Sequence, residues 1–170
     1  MKRRALWLAI ALLLLQGCAT AKNVHYQDDE SPDLIKHSYL IAETLMERLK
    51  GKPDAFNPII VASFFESGKP EKPSNFGRMV SGLIASRMSM NGFKVFEVKM
   101  GEALRLVKEG ADEGGGSAGI PNFQAIVIGT YTKANPGVYV SARMVRYDNQ
   151  QILSSVDIRI PVPYDLNHLI

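Results

Sequence analysis

The residues from Ile59 to Phe65 form a run that is apolar except for Ser63, and this run restricts the fold of the chain more than any other segment. It begins after Pro58, is too short for a helix, and is rich in β-branched residues. Runs of this kind are typical of strands that are buried on both faces. We therefore predict a central strand here, with other elements covering it.

A helix is predicted after this strand and the loop from Glu66 to Pro73 that follows it. Ser74 or Asn75 is the expected N-cap, and Asn91-Gly92 is the expected stop. The predicted apolar face consists of Phe76, Met79, Val80, Leu83, Ile84 and Met88. Phe93 to Val98 then has the pattern of a second strand. Strand, helix and strand in this order predict a right-handed parallel crossover.

A second amphipathic helix is predicted before the central strand, with Ser31 as N-cap, Pro32 at the first helical position and Gly51 as the stop. Its apolar face consists of Leu34, Ser38, Ile41, Ala42, Leu45 and Leu49. The polar face mixes acidic and basic residues, which favours packing on a sheet over a helix lying on a membrane. A short third helix is expected at Glu102 to Glu109, and a surface loop at Gly110 to Gly119.

The second half of the chain is predicted to be mostly strands. Gln124 to Tyr131 is apolar apart from Gln124 and Thr130 and is predicted as a second buried strand, whereas Val138 to Arg146 and Ile152 to Ile160 alternate strictly. Strict alternation indicates an antiparallel hairpin with one face in water. We therefore predict a single α/β (α+β) domain over residues 32–170. Its mixed sheet has about five strands, starts with a parallel βαβ unit and ends in an antiparallel hairpin, with two main helices packed on it.

The register of the hairpin is predicted by matching its apolar faces. This matching pairs Met144 with Val156, Ala142 with Ile158 and Val140 with Ile160. The same register places Arg143 directly opposite Asp157 as an ion pair and centres the connecting loop on Gln150.

The first residues of the chain have the layout of a secretory signal. Lys2, Arg3 and Arg4 precede an apolar run from Ala5 to Leu15. This run is shorter than the roughly 20 residues that a membrane-spanning helix needs. We predict a signal peptide over residues 1–17 that is removed before Cys18.

Leu15-Gln16-Gly17-Cys18 matches the bacterial lipoprotein lipobox, in which cleavage after the glycine leaves an acylated cysteine as the first residue. A thiol suits this reaction because the thiolate is a strong nucleophile. We therefore predict that Cys18 carries lipid, including palmitate, and that residues 18–31 form a flexible linker. Ala19 after the cysteine is typical of sorting to the outer membrane. The domain is then expected to face the periplasm.

Composition and motifs point away from several classes of function. The formal net charge of +3 comes from Lys2, Arg3 and Arg4, so the mature chain is neutral and gives no electrostatic argument for nucleic acid. The histidines are His25, His37 and His168, and their spacing does not suggest a metal site. No nucleophile motif occurs. We expect no enzyme activity and predict no catalytic, cofactor-binding or metal-binding residue.

Two further features leave alternatives open. Arg78 and Arg87 lie off the apolar stripe of the helix predicted between Ser74 and Gly92, where a solvated face is favoured over a recognition role. The tail from Pro161 to Ile170 keeps several large apolar residues. It either folds back over the sheet, which is favoured, or awaits a partner. Oligomeric state stays open at this stage.

Several segments, taken in their order and spacing, resemble the FlgO family of flagellum-associated outer-membrane lipoproteins. They are residues 59–64, 74–78, 92–97, 127–131 and 138–145 with the closing hairpin. The resemblance implies a non-enzymatic protein of the cell envelope that supports flagellar assembly, flagellar stability and motility, with flagellar components as partners. The wider fold class is also similar to lipoproteins that activate peptidoglycan synthases and to the curli-export lipoprotein. The alternative is therefore a periplasmic binding module that docks on a cell-wall synthase or on peptidoglycan.

Overall fold

The structure is a computed structural model. It describes residues 33–47, 49, 58–70, 72, 74–99, 101–103, 105, 123–134 and 137–161. The predicted signal peptide, the linker at residues 18–31, the loop at Gly110 to Gly119 and the tail after Pro161 lie outside the described residues. Most of the predicted third helix does too, although residues 101–103 and 105 are helical.

Besides the helical residues 101–103 and 105, the described part of the chain contains two longer helices and six strands. The helices are α1 (Leu34–Glu47) and α2 (Asn75–Met90). The strands are β1 (Ile59–Ala62), β2 (Phe65–Glu66), β3 (Val95–Val98), β4 (Ala125–Ala134), β5 (Gly137–Arg146) and β6 (Ile152–Pro161). They form one sheet in the order β3-β1-β4-β5-β6, with the short β2 also paired to β4. β1 is parallel to β3 and β4, whereas β4, β5 and β6 are antiparallel, so the predicted fold class is confirmed.

The cap of α1 differs from the prediction. The Oδ1 atom of Asp33 accepts a hydrogen bond from the backbone N–H of Lys36 at 3.0 Å, and the first helical residue is Leu34. Asp33 is therefore the N-cap, and the prediction of Ser31 was wrong. A carboxylate both satisfies a free N–H of the first turn and interacts favourably with the positive end of the helix dipole.

The limits of α2 are as predicted. Ser74 caps the helix, because its hydroxyl accepts from the Gly77 N–H at 2.9 Å. Gly92 has a φ of 87°, and the Phe93 N–H returns to the Met88 carbonyl at 3.2 Å. Only glycine adopts such a φ without strain, which explains the stop at this position. Met79 is 42% exposed, so its assignment to the buried face was wrong.

The predicted central strand is interrupted between β1 and β2. Val61 pairs with Val127, but Phe65 pairs with Thr130, so this strand has one more residue than β4 over the same distance. The extra residue is a bulge that turns the Phe64 side chain to the helix side of the sheet, where it is buried. The prediction of one continuous strand was therefore wrong at this point.

The hairpin has the predicted faces but a different register. Val140 pairs with Ile158 and Ala142 with Val156, two residues away from the predicted pairing. Arg143 lies opposite Ser155, and the predicted direct pair with Asp157 was wrong, although both side chains are on the exposed face. The difference in register begins at the turn between β5 and β6. This turn is not centred on Gln150; Gln150 is its last residue and has a φ of 57°.

A one-residue register shift follows the turn. Met144 pairs with Ser154 and Val145 with Ile152, which leaves Leu153 as an extra residue in β6. The shift restores the apolar faces after an even-numbered turn. Matching hydrophobic faces alone cannot tell the observed register from the predicted one. The two differ by two residues, and a displacement by two residues keeps every side chain on its face.

The core has one part on each face of the sheet. Both helices cover the larger part, which includes residues of β1, β4, β5 and β6. The smaller part, on the other face, consists of Ile60, Ala62, Ala103, Phe123 and Ile126. It lies under β1 and the start of β4, whereas the same face of β5 and β6 keeps exposed side chains. Among the described residues, the β1 side of the sheet therefore has core packing on both faces, and the hairpin side has it on the helix face.

Candidate interaction surface

The sequence-predicted lipidation site, Gly17 and Cys18, lies outside the described residues, so lipidation stays a prediction. His25 and His168 lie outside them as well. His37 is buried, and its Nδ1 is 2.7 Å from the Asp33 carbonyl oxygen. The His37 side chain is therefore hydrogen-bonded to the main chain at the start of α1.

The described residues offer little to metal or small-molecule chemistry. Within these ranges, no group of three His, Cys, Asp or Glu side chains is placed to hold a metal ion. None of the described helices is long and apolar enough to cross a membrane. A shallow cleft of about 400 Å³ lies at the ends of β1 and β3. It is lined by Val61, Ser63, Ser81, Glu97, Val98, Lys99 and Glu102.

Both hydroxyl groups of this cleft are already hydrogen-bonded to main-chain carbonyls. Ser81 Oγ donates to Arg78 at 3.0 Å, and Ser63 Oγ donates to Val98 at 3.5 Å. Among the described residues that line the cleft there is no histidine, and the charged side chains are those of Glu97, Lys99 and Glu102.

The two arginines of α2 have different surroundings. Arg87 Nε donates to Glu43 Oε1 at 2.9 Å, and its guanidinium carbon lies 5.1 Å from the centre of the Tyr39 ring. Arg87 thus joins α2 to α1. Arg78 is exposed, and its guanidinium donates to Asn75 Oδ1 of the same helix turn at 2.5 Å. Of the two, Arg87 has a structural role.

The face of β4, β5 and β6 that points away from the helices is partly exposed along all three strands. We call it the outer sheet face. It consists of Thr130, Thr132, Tyr139, Ser141, Arg143, Ser155, Asp157 and Arg159, all exposed or half-buried. Cross-strand pairing places Tyr139 between Thr132 and Arg159. Ser141 lies between Thr130 and Asp157 in the next row.

Tyr139 is the aromatic residue of the outer sheet face, and it is 55% exposed. Tyrosine and arginine are enriched at protein–protein interfaces, because each combines a large contact area with hydrogen-bonding groups. Tyr139 is not among the residues predicted from the sequence to have a role. An aromatic residue at a solvent-facing position of an alternating strand is the pattern that could have indicated it.

A charged cluster lies at one end of the sheet, where Glu66 of β2 pairs with Tyr131 of β4. Lys69 Nζ donates to Glu66 Oε1 at 2.7 Å, and Lys133 Nζ lies 3.8 Å from Glu66 Oε2. The hydrogen bond from Lys69 lowers the pKa of the Glu66 carboxyl, with a smaller contribution from the charge of Lys133. Glu66 is therefore ionised and partnered at neutral pH.

The chain matches the family model described as FlgO protein over residues 39–164. No curated protein sequence gives a match. Among solved structures, the chain is similar to the LpoB C-terminal domain from Salmonella enterica at 10% identity and a TM-score of 0.47, covering 76% of this chain and 98% of that one. The same domain from Escherichia coli gives 8%, 0.48, 75% and 98%. Lipoprotein GNA1162 from Neisseria meningitidis gives 18%, 0.40, 64% and 83%. TM-scores below 0.5 support no statement about function.

Proposed function

This chain belongs to the FlgO family, and we propose that it is a non-enzymatic outer-membrane lipoprotein that supports flagellar assembly and motility. The family match is the observation on which the proposal rests. The matched residues include α2 and all six strands. The match thus covers the folded domain rather than an isolated motif.

Lipidation at Cys18 would hold the domain at the membrane. Acyl chains bind by burying methylene groups, at about 0.8 kcal/mol each, and stable anchoring takes more than one chain. The linker at residues 18–31 would then place the domain in the periplasm. This arrangement suits a protein that contacts other envelope proteins while it stays bound to the outer membrane.

The outer sheet face is the proposed contact for a flagellar partner. It is polar, and it presents Tyr139 and Arg143 on antiparallel strands whose other face packs against the helices. A rigid support of this kind limits the side-chain entropy that is lost on binding. In the shallow cleft, the hydroxyls of Ser63 and Ser81 are hydrogen-bonded to main-chain carbonyls. This supports the proposal that the domain binds a partner rather than catalyses a reaction.

A deletion strain complemented with variants tests this function. We expect deletion to reduce the swimming zone in soft agar and the wild-type gene to restore it. Tyr139→Ala should restore it only in part, while Met79→Ala, which truncates an exposed residue on the helix side, should restore it fully. Immunoblots of the outer-membrane fraction check that every variant is present at the same level as the wild type. Normal swimming of the deletion strain, together with altered cell-wall labelling, would contradict the flagellar proposal and favour docking on a cell-wall synthase.

A further inference from the structure

β6 is a long strand at the end of the sheet order. It spans Ile152–Pro161 and pairs with β5 on one side. In the part of the chain that the structure describes, no strand pairs with its other side. A free strand edge is a template for another strand, and proteins usually protect such edges with charges, prolines or bulges. Here the only bulge in β6 is at Leu153, which leaves the stretch from Ser154 to Ile160 regular.

Pro161 shows which backbone groups point to this free edge. It pairs with Gly137 but has no N–H, so it occupies a position where no hydrogen bond is donated to β5. Such positions alternate along an antiparallel ladder. Arg159, Asp157 and Ser155 therefore direct their N–H and C=O groups away from β5. These three residues form what we call the β6 edge.

The side chains of the β6 edge have opposite charges at neighbouring positions on one face. Asp157 and Arg159 are two residues apart and both lie on the outer sheet face. In an antiparallel pair of identical strands, a twofold axis at Ile158 places Asp157 of each copy opposite Arg159 of the other. We propose that β6 pairs with β6 of a second copy in this register, forming a symmetric dimer with one continuous sheet.

Neighbouring registers fit less well. An axis at Asp157 or at Arg159 would place like charges directly opposite each other, which is destabilising. An axis between two residues would set the apolar face of one strand beside the polar face of the other. The axis at Ile158 keeps both faces matched and forms two cross-strand ion pairs. It also makes Asp157 and Arg159 a hydrogen-bonded pair, so the ion pairs are added to main-chain bonds.

The helix layer is compatible with this arrangement. Ser154 Oγ of β6 donates to the Thr44 carbonyl of α1 at 3.3 Å, so α1 packs over the edge strand. Leu40 lies one helical turn before Thr44 and is 45% exposed. A twofold axis perpendicular to the sheet places both α1 helices on the same face of the continuous sheet, next to each other. Their approach would bury part of the exposed Leu40 surface.

Charge reversal tests the proposal. The full chain, solubilised in detergent, is studied by sedimentation equilibrium, with dimer expected for the wild type. Asp157→Arg and Arg159→Asp should each weaken dimerisation about tenfold or more, because each places like charges opposite one another. The double variant Asp157→Arg/Arg159→Asp restores both pairs and should recover affinity to within a few-fold. Lys94→Glu, an exposed charge reversal beside β3 at the other end of the sheet, should leave dimerisation unchanged.

Thermal unfolding of every variant separates association from folding. The proposal predicts dimer loss in the single variants at unchanged unfolding temperature when each is measured as a monomer. A monomeric wild type would overturn it, as would a double variant that stays monomeric. A dimer that persists in both single variants but is lost when the residues after Pro161 are deleted would also overturn it, by assigning association to the tail.

Discussion

Phe64 joins α2 to the sheet through two glycines. Its carbonyl oxygen lies against Gly77 of α2, and its ring lies over Gly129 of β4. A Cβ atom at either glycine would overlap Phe64. These glycines are therefore required for close approach, since neither has the positive φ that often explains a glycine.

We predict that Gly77→Ala destabilises the domain by about 1–3 kcal/mol, because the backbone of Phe64 must move to accept the methyl group. Gly82→Ala in the same helix is the control. There the added Cβ has Glu97 Oε2 as its nearest neighbour at 3.8 Å. Helix propensity alone should stabilise this variant by about 0.5–1 kcal/mol. Urea denaturation measures both, and effects of the same sign would contradict the contact.

Glu66 provides a prediction on pH. Because its pKa is lowered in the folded chain, chiefly by the Lys69 hydrogen bond, its ionised form favours folding. This contribution is complete above the ordinary glutamate pKa and is lost as the pH falls through the lowered one. Carboxyl NMR titration should show the pKa of Glu66 rising toward its ordinary value in Lys69→Ala. Lys72→Ala, whose charge is the smallest contribution, should shift it less. Equal shifts would contradict the role of the hydrogen bond.

At the scale of elements, residues close together in the sequence predict the limits of α2, but they do not predict where β1 ends or how β6 is paired. The cap at Ser74 and the stop at Gly92 depend on neighbouring residues, so the sequence predicts them directly. The interruption after Ala62 depends instead on Phe64, whose partners Gly77 and Gly129 are distant along the chain. The register of β6 depends on the turn before it and on the extra residue Leu153. The hydrophobic pattern therefore predicts on which face of the sheet a side chain lies, but not the interruption after Ala62 or the register of β6.

The contact between the two helices gives a prediction at this scale. Arg87 pairs with Glu43 and stacks on Tyr39, and all three are at least partly exposed. A double-mutant cycle with Arg87→Gln and Tyr39→Leu should give a coupling free energy of about 0.5–1 kcal/mol, the range of exposed cation–π contacts. The ion pair itself should contribute at most about 1 kcal/mol, because water screens it. Chemical denaturation in low and high salt separates the two, since only the ion pair should weaken.

At the scale of the whole molecule, the domain has one face closed by helices and another partly open. The alternating pattern predicted the open face, but not that β6 ends the sheet or that Tyr139 is central to the exposed area. Those properties follow from the strand order, which pairs residues far apart in sequence. Asp157 and Arg159 were visible as solvent-facing residues. Their relation to a free edge requires the complete sheet.

Cys18→Ala tests the attachment of this domain to the membrane. We expect the variant to leave the outer-membrane fraction, because the acyl chains supply the binding free energy. The domain should stay folded, with an unchanged unfolding temperature, because the described core lies within residues 33–161. Ser86→Ala, at an exposed position of α2, is a matched control that should stay membrane-bound. A Cys18→Ala variant that still sediments with membranes would contradict anchoring by lipid.

The parallel pairing of β1 with β4 has a consequence for how fast the chain folds. β4, β5 and β6 follow one another and join through short turns, and β1, α2 and β3 form a second local unit. Ile59 pairs with Ala125, so the two units combine only when a long intervening segment has closed. Closing long loops costs entropy before any contact is gained, and folding slows as contact order rises. The rate-limiting step of refolding should therefore be the docking of β1 onto a preformed β4–β6 meander.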